Sequence, residues 1–350
     1  MNHKERVLSV FKEEKPDRFP MWFGGASETL ENLKIFLDVA SHEEVLEEIG
    51  IDFRTVRPEY AGPPLKTYDD GSWETFWGIR RKGEHYGQAI THPLEQAENV
   101  EQVENYDWPN IEDWSFEHLE QEIEKYKEYA IIGGSWAPFF HDTAELMGFE
   151  NMLIKMLEKP KIVEAVVDRC FRFYYNLSEK MFEMVGDRID LFFVGNDFGA
   201  EKDLLFSPDL WRKFFKKRFK KLVDLGREYD IYFAIHSCGD ISSIIPDLIE
   251  IGVDALNPIQ ISTKGMNPKR IFDKYGEELI FFGGIDVREI LEKGTQEEVA
   301  KETRRIIDIL GGYDRYITAP SHDYLLPEIP PENIVTMYEE SMKYSKKILS

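Results

Sequence analysis

Ile231-Tyr232-Phe233-Ala234-Ile235-His236-Ser237-Cys238-Gly239 is the stretch on which the fold turns. An uncharged run rich in β-branched and aromatic residues, closed by a glycine, reads as a buried strand. Comparable short runs stand at Leu191–Val194, Asp254–Pro258, Leu279–Phe282 and Tyr316–Ala319. Between them lie amphipathic stretches with helix-start signals. Ser207-Pro208-Asp209 supplies an N-cap, a proline at the first helical position and an early acid. Trp211, Phe215, Phe219 and Leu222 then share one helical stripe. Thr295 with Glu298 forms a capping box for a helix that Gly311-Gly312 ends.

Strands spaced one helix apart imply a parallel sheet, because parallel neighbours need crossover connections. Phe19–Phe23, Asp52–Arg57 and Ala130–Gly134 are further strand candidates in the N-terminal half. With them the pattern predicts an α/β fold: a (β/α)8 TIM barrel in one domain over residues 1–350. A doubly wound open sheet is the competing reading. It lacks support, since no G-x-G-x-x-G or G-x-x-x-x-G-K-[ST] follows any strand. Tyr68–His92, with glycine and aspartate at its turns, reads as a β-hairpin insertion.

Composition narrows the partners. The 350 residues carry 66 Asp+Glu against 43 Lys+Arg, a formal net charge of −23. Such a chain repels phosphate backbones and anionic membrane surfaces, so no nucleic-acid or membrane partner is expected. The one basic run, Lys213–Lys221, has aromatics at helical spacing and reads as a solvated helix face. The start, MNHKERVLSVFKEEKPDRF, lacks the apolar core of a signal peptide, and two cysteines make no disulfide framework. A soluble, cytoplasmic protein is expected.

In a barrel the active site sits at the carboxyl ends of the strands. There the sequence places Asn196-Asp197, His236-Ser237-Cys238, Asn257 with Gln260, Asp286, and Ser321-His322-Asp323. Side chains alternate along a strand, so Ala234, His236 and Cys238 share one face while Phe233, Ile235 and Ser237 share the other. If the greasy face meets the helices, an imidazole and a thiolate turn together into the mouth. Zinc accepts both, and a catalytic zinc needs three protein ligands and an open position. His322 is the natural third ligand, and Asp197 a fourth or an orienter. A pair of buried, hydrogen-bonded polar residues is the competing reading. Trp22, Trp136 and, less specifically, Phe23 and Phe139 would floor an aromatic pocket, or pack as core. His141 would contact substrate or act as acid or base, with Asp142 either its companion or a helix cap. Arg57 is a substrate-binding candidate, unless it pairs with Glu59. Asn257 and Asp286 complete the candidate substrate residues. Cys170 and His92 read as structural.

RVLSVFKEEKPDRFPMW, THPLEQAENVEQVENYDWP, GAEKDLLFSPDLWRKFFKKRFKKLVD, AIHSCGD, LIEIGVDALNPIQ, FFGGIDVREIL and SHDYLLPEIPPENI carry a resemblance. Together they resemble the uroporphyrinogen decarboxylase superfamily over essentially the full length, and within it the corrinoid-dependent methyltransferases. The resemblance implies a (β/α)8 barrel, a separate corrinoid protein as partner, and a homodimer. Decarboxylases of the family carry an arginine-rich loop for the porphyrinogen's carboxylates. Here that stretch is Met21–Glu28, and no arginine occurs between Arg18 and Arg54. Methylcobamide:thiol methyltransferases use H-x-C plus a distant cysteine. His236 and Cys238 match the first part, but the distant strand end carries Ser321-His322. A zinc with fewer thiolates stays more positive and is suited to polarising an oxygen. The resemblance therefore implies a zinc-dependent methyltransferase acting on a methoxylated substrate, with His236, Cys238, His322 and Asp197 at the metal. Transfer to a thiol is the alternative; uroporphyrinogen decarboxylation is a more distant one.

Overall fold

A computed structural model describes residues 1–84 and 86–350. Its main sheet has seven strands, Phe53–Thr55, Ala130–Gly133, Leu191–Gly195, Tyr232–His236, Ala255–Asn257, Ile280–Phe282 and Tyr316–Ile317. All pair in parallel, and their order in the sheet is their order in the chain. That order curls a sheet continuously, where a doubly wound fold would reverse it. Each strand matches a run expected from the sequence. Phe19–Phe23 does not form a strand of its own. Its middle is instead bonded to both sheet edges: Thr318 N–H donates to Pro20 O at 2.8 Å, Trp22 N–H to Thr318 O at 3.0 Å, and Asp52 N–H to Met21 O at 2.9 Å.

The alternation of side chains creates two cores. Phe233 and Ile235 join the large outer core beneath the helices. Phe53, Ile132, Phe193, Ala234, Ile280 and Phe282 form the inner one, with Trp22 and Trp136 packed on it. The helices follow their sequence signals. Ser207 caps at Leu210 N, and the Thr295 capping box opens Gln296–Leu310. The first of these helices is not regular throughout, because Arg212–Lys216 is a π-helical turn. The extra residue in that turn brings Phe214 into the core beside Phe215, so the buried stripe is wider than a 3.6-residue period predicts.

The basic run is spent on local pairs: Lys216 reaches Asp247 and Glu250, and Arg218 reaches Asp168. Between the first two main strands, Trp73–Glu74, Arg80–Lys82 and Gln88–Ala89 make a three-stranded antiparallel sheet. Arg81 ties it to Glu145 on the Phe139–Met147 helix. Tyr86 lies 6.1 Å, ring to ring, from Tyr324. Among the described residues no helix is long and apolar enough to cross a membrane.

Candidate metal centre and active site

Two parallel strand ends build the centre. Beyond Gly195 and His236 their chains continue side by side. Asn196 N–H donates to His236 O at 2.9 Å, Phe198 N–H to Ser237 Oγ at 3.0 Å, and Asp240 N–H to Ala200 O at 2.7 Å. At the crossing Gly199 and Gly239 touch backbone to backbone. A Cβ on Gly239 would stand 2.2 Å from the Gly199 carbonyl carbon, and Gly239 also holds φ +85°. Only glycine fits both chains this close.

The crossing sets Asp197 against Cys238. Asp197 Oδ1 accepts from Cys238 N–H at 2.8 Å and lies 3.2 Å from His236 Nε2. Cys238 Sγ is 3.4 Å from the same Nε2. One donor atom from each of Asp197, His236 and Cys238 thus falls within 4.8 Å of the other two. His236 is buried, and its Nδ1 sits 2.7 Å from Asn257 Oδ1 and 3.3 Å from an Asp323 carboxylate oxygen. Asn257 Nδ2 donates to Phe282 O, which fixes its amide with the oxygen toward the ring. These acceptors hold a proton on Nδ1 and turn Nε2 toward Sγ and Asp197, the orientation a metal-binding histidine needs. An imidazole, a thiol and a carboxylate at this spacing suit a borderline-soft divalent ion, so the residues present fit zinc.

The electrostatics belong to one coupled cluster. Burial pushes the His236 imidazole down, but Asp323, Asp197 and Cys238 outweigh it and hold the pKa well above the usual value. Burial pushes Asp197 up; His236, His141 and the Cys238 N–H outweigh that and hold it well below the usual carboxylate range. His322 is raised, first by its hydrogen bond to Cys238.

The other expected residues divide. His322 reaches Cys238 but stands outside the three-donor cluster, and its Nδ1 accepts from Tyr324 N–H at 3.1 Å. His141 Nε2 accepts from Asp197 N–H at 2.9 Å, beside the centre. Trp136 lies 5.4 Å from the His236 ring and 5.1 Å from Phe193, and Trp22 packs edge-on to Phe193 and Phe282. An aromatic floor therefore lies directly under the donors, while Phe139 belongs to the outer core. Arg57 covers the Trp136 ring at 5.5 Å and does not pair with Glu59, whose strand turns away to pair with Trp114–Ser115. Asp286 caps the turn Val287–Leu291 through Glu289 N–H. Asp142 is not a helix cap: Pro138 holds that position, and the Asp142 carboxyl is buried beneath Tyr174 OH. Cys170 is core, and His92 bonds Glu145 O.

Asp323 was not assigned a role by the sequence. Its neighbour His322 marked the loop, but only the folded chain shows that the carboxylate turns back to His236. Gln260, whose Oε1 accepts from Gly239 N–H at 2.7 Å, was flagged only by its place after a strand.

A curled parallel sheet with a donor cluster at the carboxyl ends of its strands has the layout of the TIM-barrel enzymes. The chain belongs to the uroporphyrinogen decarboxylase (URO-D) family, whose model matches residues 82–344. It is similar to the methylcobamide:CoM methyltransferase MtbA of Methanosarcina acetivorans, 26% identical over 223 residues, covering 63% of this chain and 62% of the relative. It is 24% identical over 228 residues to the protein of the same name from Methanosarcina mazei, with the same coverage. The chain thus spans about 62% of the length of the curated relatives it matches. A solved methyltransferase from Methanosarcina mazei superposes with a TM-score of 0.68, over 98% of this chain and 99% of that one. At 15% identity that likeness concerns the fold.

Proposed function

We propose that the protein is a zinc-dependent methyltransferase that moves a methyl group from a methoxylated small molecule to a corrinoid carried on a partner protein. The observation that carries the reading is the convergence of His236 Nε2, Cys238 Sγ and the Asp197 carboxylate over an aromatic floor. Zinc held by these three residues, with His322 at the rim, would supply Lewis acidity toward an ether oxygen.

The chain's own residues prepare the rest. Asn257 and Asp323 orient the His236 ring and make it a stronger donor. Trp22 and Trp136, packed edge-on over the buried Phe193 and Phe282, give an apolar floor against which an aromatic ring would pack, and they keep water from beneath the reacting group. His141, with its Nε2 already accepting from Asp197 N–H, steadies the carboxylate's loop. The same reading takes residues 1–350 as one barrel domain whose eighth stave is residues 19–23, with a β-hairpin insertion at 68–92 in its N-terminal half.

The names of the relatives favour a second reading, transfer from a methylated corrinoid to a thiol. Porphyrinogen decarboxylation finds less support: Arg18 is committed to Asp52 and Arg54 to Glu43, so neither flanking arginine offers a carboxylate clamp. Elemental analysis of the protein purified without chelators should find about one zinc per chain, lost in Cys238→Ala. Demethylation of a methoxylated arene by the zinc-replete protein with a cobalt(I) corrinoid protein should follow. No zinc after reconstitution, or no transfer across a panel of methyl ethers and thiols, would sink the proposal.

A further inference from the structure

Arg57 has the surroundings of an anion site. Phe53, four residues earlier on the same strand face, belongs to the inner core. Thr55, between them on that face, is exposed, so the wall opens into the mouth there rather than into packed side chains. Arg57 is next along this face, with its guanidinium carbon 5.5 Å from the centre of the Trp136 ring. Trp136 in turn touches His236, so the cation stands one aromatic ring away from the donor cluster.

One nitrogen of the guanidinium is left unsatisfied. Its Nε is sealed from solvent with no hydrogen-bond partner among the described residues. No carboxylate offsets its desolvation, and burial alone pulls its pKa down to about 10, still fully protonated at neutral pH. What sets it apart from its neighbours is the lack of a carboxylate partner: Arg54 has Glu43 and Arg18 has Asp52. Although the chain carries 66 acidic residues, none among the described residues pairs with this half-buried arginine beside the donor cluster. A planar fork of donors is built for a carboxylate or another oxyanion.

We infer that Arg57 binds an anionic headgroup of the small-molecule substrate, a carboxylate or a sulfonate, and thereby selects substrates that carry one at the far end from the reacting atom. This deepens the methyl-transfer reading for the choice of probes, but the binding itself does not depend on transfer. Two sources of the headgroup are separable: a methoxylated arene carboxylate as methyl donor, or an anionic thiol as acceptor.

The test is calorimetric titration of the zinc-replete protein with 4-methoxybenzoate against methoxybenzene, and with 2-mercaptoethanesulfonate against 2-mercaptoethanol. Hydrogen bonds to a charged partner are worth a factor of about 10 to 100 in affinity. At least one anionic probe should bind about 30-fold or more tightly than its neutral counterpart, and which pair shows the gap identifies the source. Arg57→Gln should erase the gap, and Arg57→Lys should retain part of it. Equal binding within each pair, no binding of either anion, or a gap that survives in Arg57→Gln overturns the inference. Should Arg57→Gln fail to fold, Arg57→Lys decides in its place: a gap undiminished in that variant overturns the inference. A gap without methyl transfer would refute the proposed reaction and leave the anion site standing. Transfer without a gap would do the reverse.

Discussion

Asp52 offers the sharpest test of how this fold is held. Its carboxylate is fully buried. Oδ1 accepts from Arg6 Nη1 at 2.8 Å and Arg18 Nη2 at 2.9 Å, and contacts His3 Nδ1 at 2.8 Å. Oδ2 accepts from Arg18 Nη1 at 2.7 Å and Met21 N–H at 2.8 Å. The group fastens the first helix and the 18–21 segment to the head of the first main strand. In Asp52→Asn, one amide oxygen still accepts, but the NH2 faces two donors, and two guanidinium groups lose their buried counter-charge. Removing one partner of such a cluster costs about 3–5 kcal/mol, a third or more of a typical stability of ~10 kcal/mol. With a urea slope of ~3 kcal/mol per M, the unfolding midpoint should fall by about 1 M or more. The pH dependence follows from the ionisation. Burial alone would raise Asp52, but His3, Arg18 and Arg6 outweigh it and depress its pKa. Its contribution is therefore present above the ordinary carboxylate pKa and is lost as pH falls through the depressed one. The gap between wild type and variant should be full at pH 7 and narrow in acid. A midpoint shift below ~0.3 M at pH 7, or a gap that widens in acid, would refute this account.

Three further outcomes are expected. Asn257→Leu removes the 2.7 Å partner of His236 Nδ1 and should weaken zinc binding about 10- to 100-fold, read by competition with a chromophoric chelator; unchanged affinity would count against the orienting role. Gly195→Ala places a methyl 1.9 Å from the Trp136 ring and should destabilise the protein by about 1–3 kcal/mol while shifting tryptophan emission, both lacking if the ring has room to move. Asp142, raised to about 7 by burial, keeps its proton in the folded state after the unfolded chain has lost its own. Stability should therefore fall as pH rises from about 4 to 7, by a term on the order of 4 kcal/mol that Asp142→Asn abolishes; identical pH profiles for the two proteins would dismiss it.

The main strands were legible because each is a short apolar run, and burial on both faces leaves little room for another reading. His236 and Cys238 were legible as a pair because strand alternation is rigid. Asp197 was placed correctly at a strand end, but its position closer to the donors than His322 depends on the backbone contact between two glycines in different loops. Asp323 turns to His236 by a loop path that no local pattern encodes. Residues 19–23 were read as a strand, yet their pairing reaches partners about 30 and 300 residues away, and the extended stretch is too short to register as more than a bridge. Arg57 stayed ambiguous beside Glu59, since adjacency in sequence cannot tell an ion pair from a cation left without one.

The backbone contact between Gly199 and Gly239 also decides which side of the mouth can move. With Asn196, Gly199 and Asp240 all bonded across it, the two loops that carry Asp197 and Cys238 behave as a single mechanical part. Hinge motion between Asp197 and Cys238 is ruled out unless that seam tears. Any widening of the mouth then falls to the 321–326 loop, which brings His322 and Asp323 to Cys238 and His236. That loop also meets Tyr86 of the small antiparallel sheet through the ring of Tyr324, so its movement is coupled to that sheet.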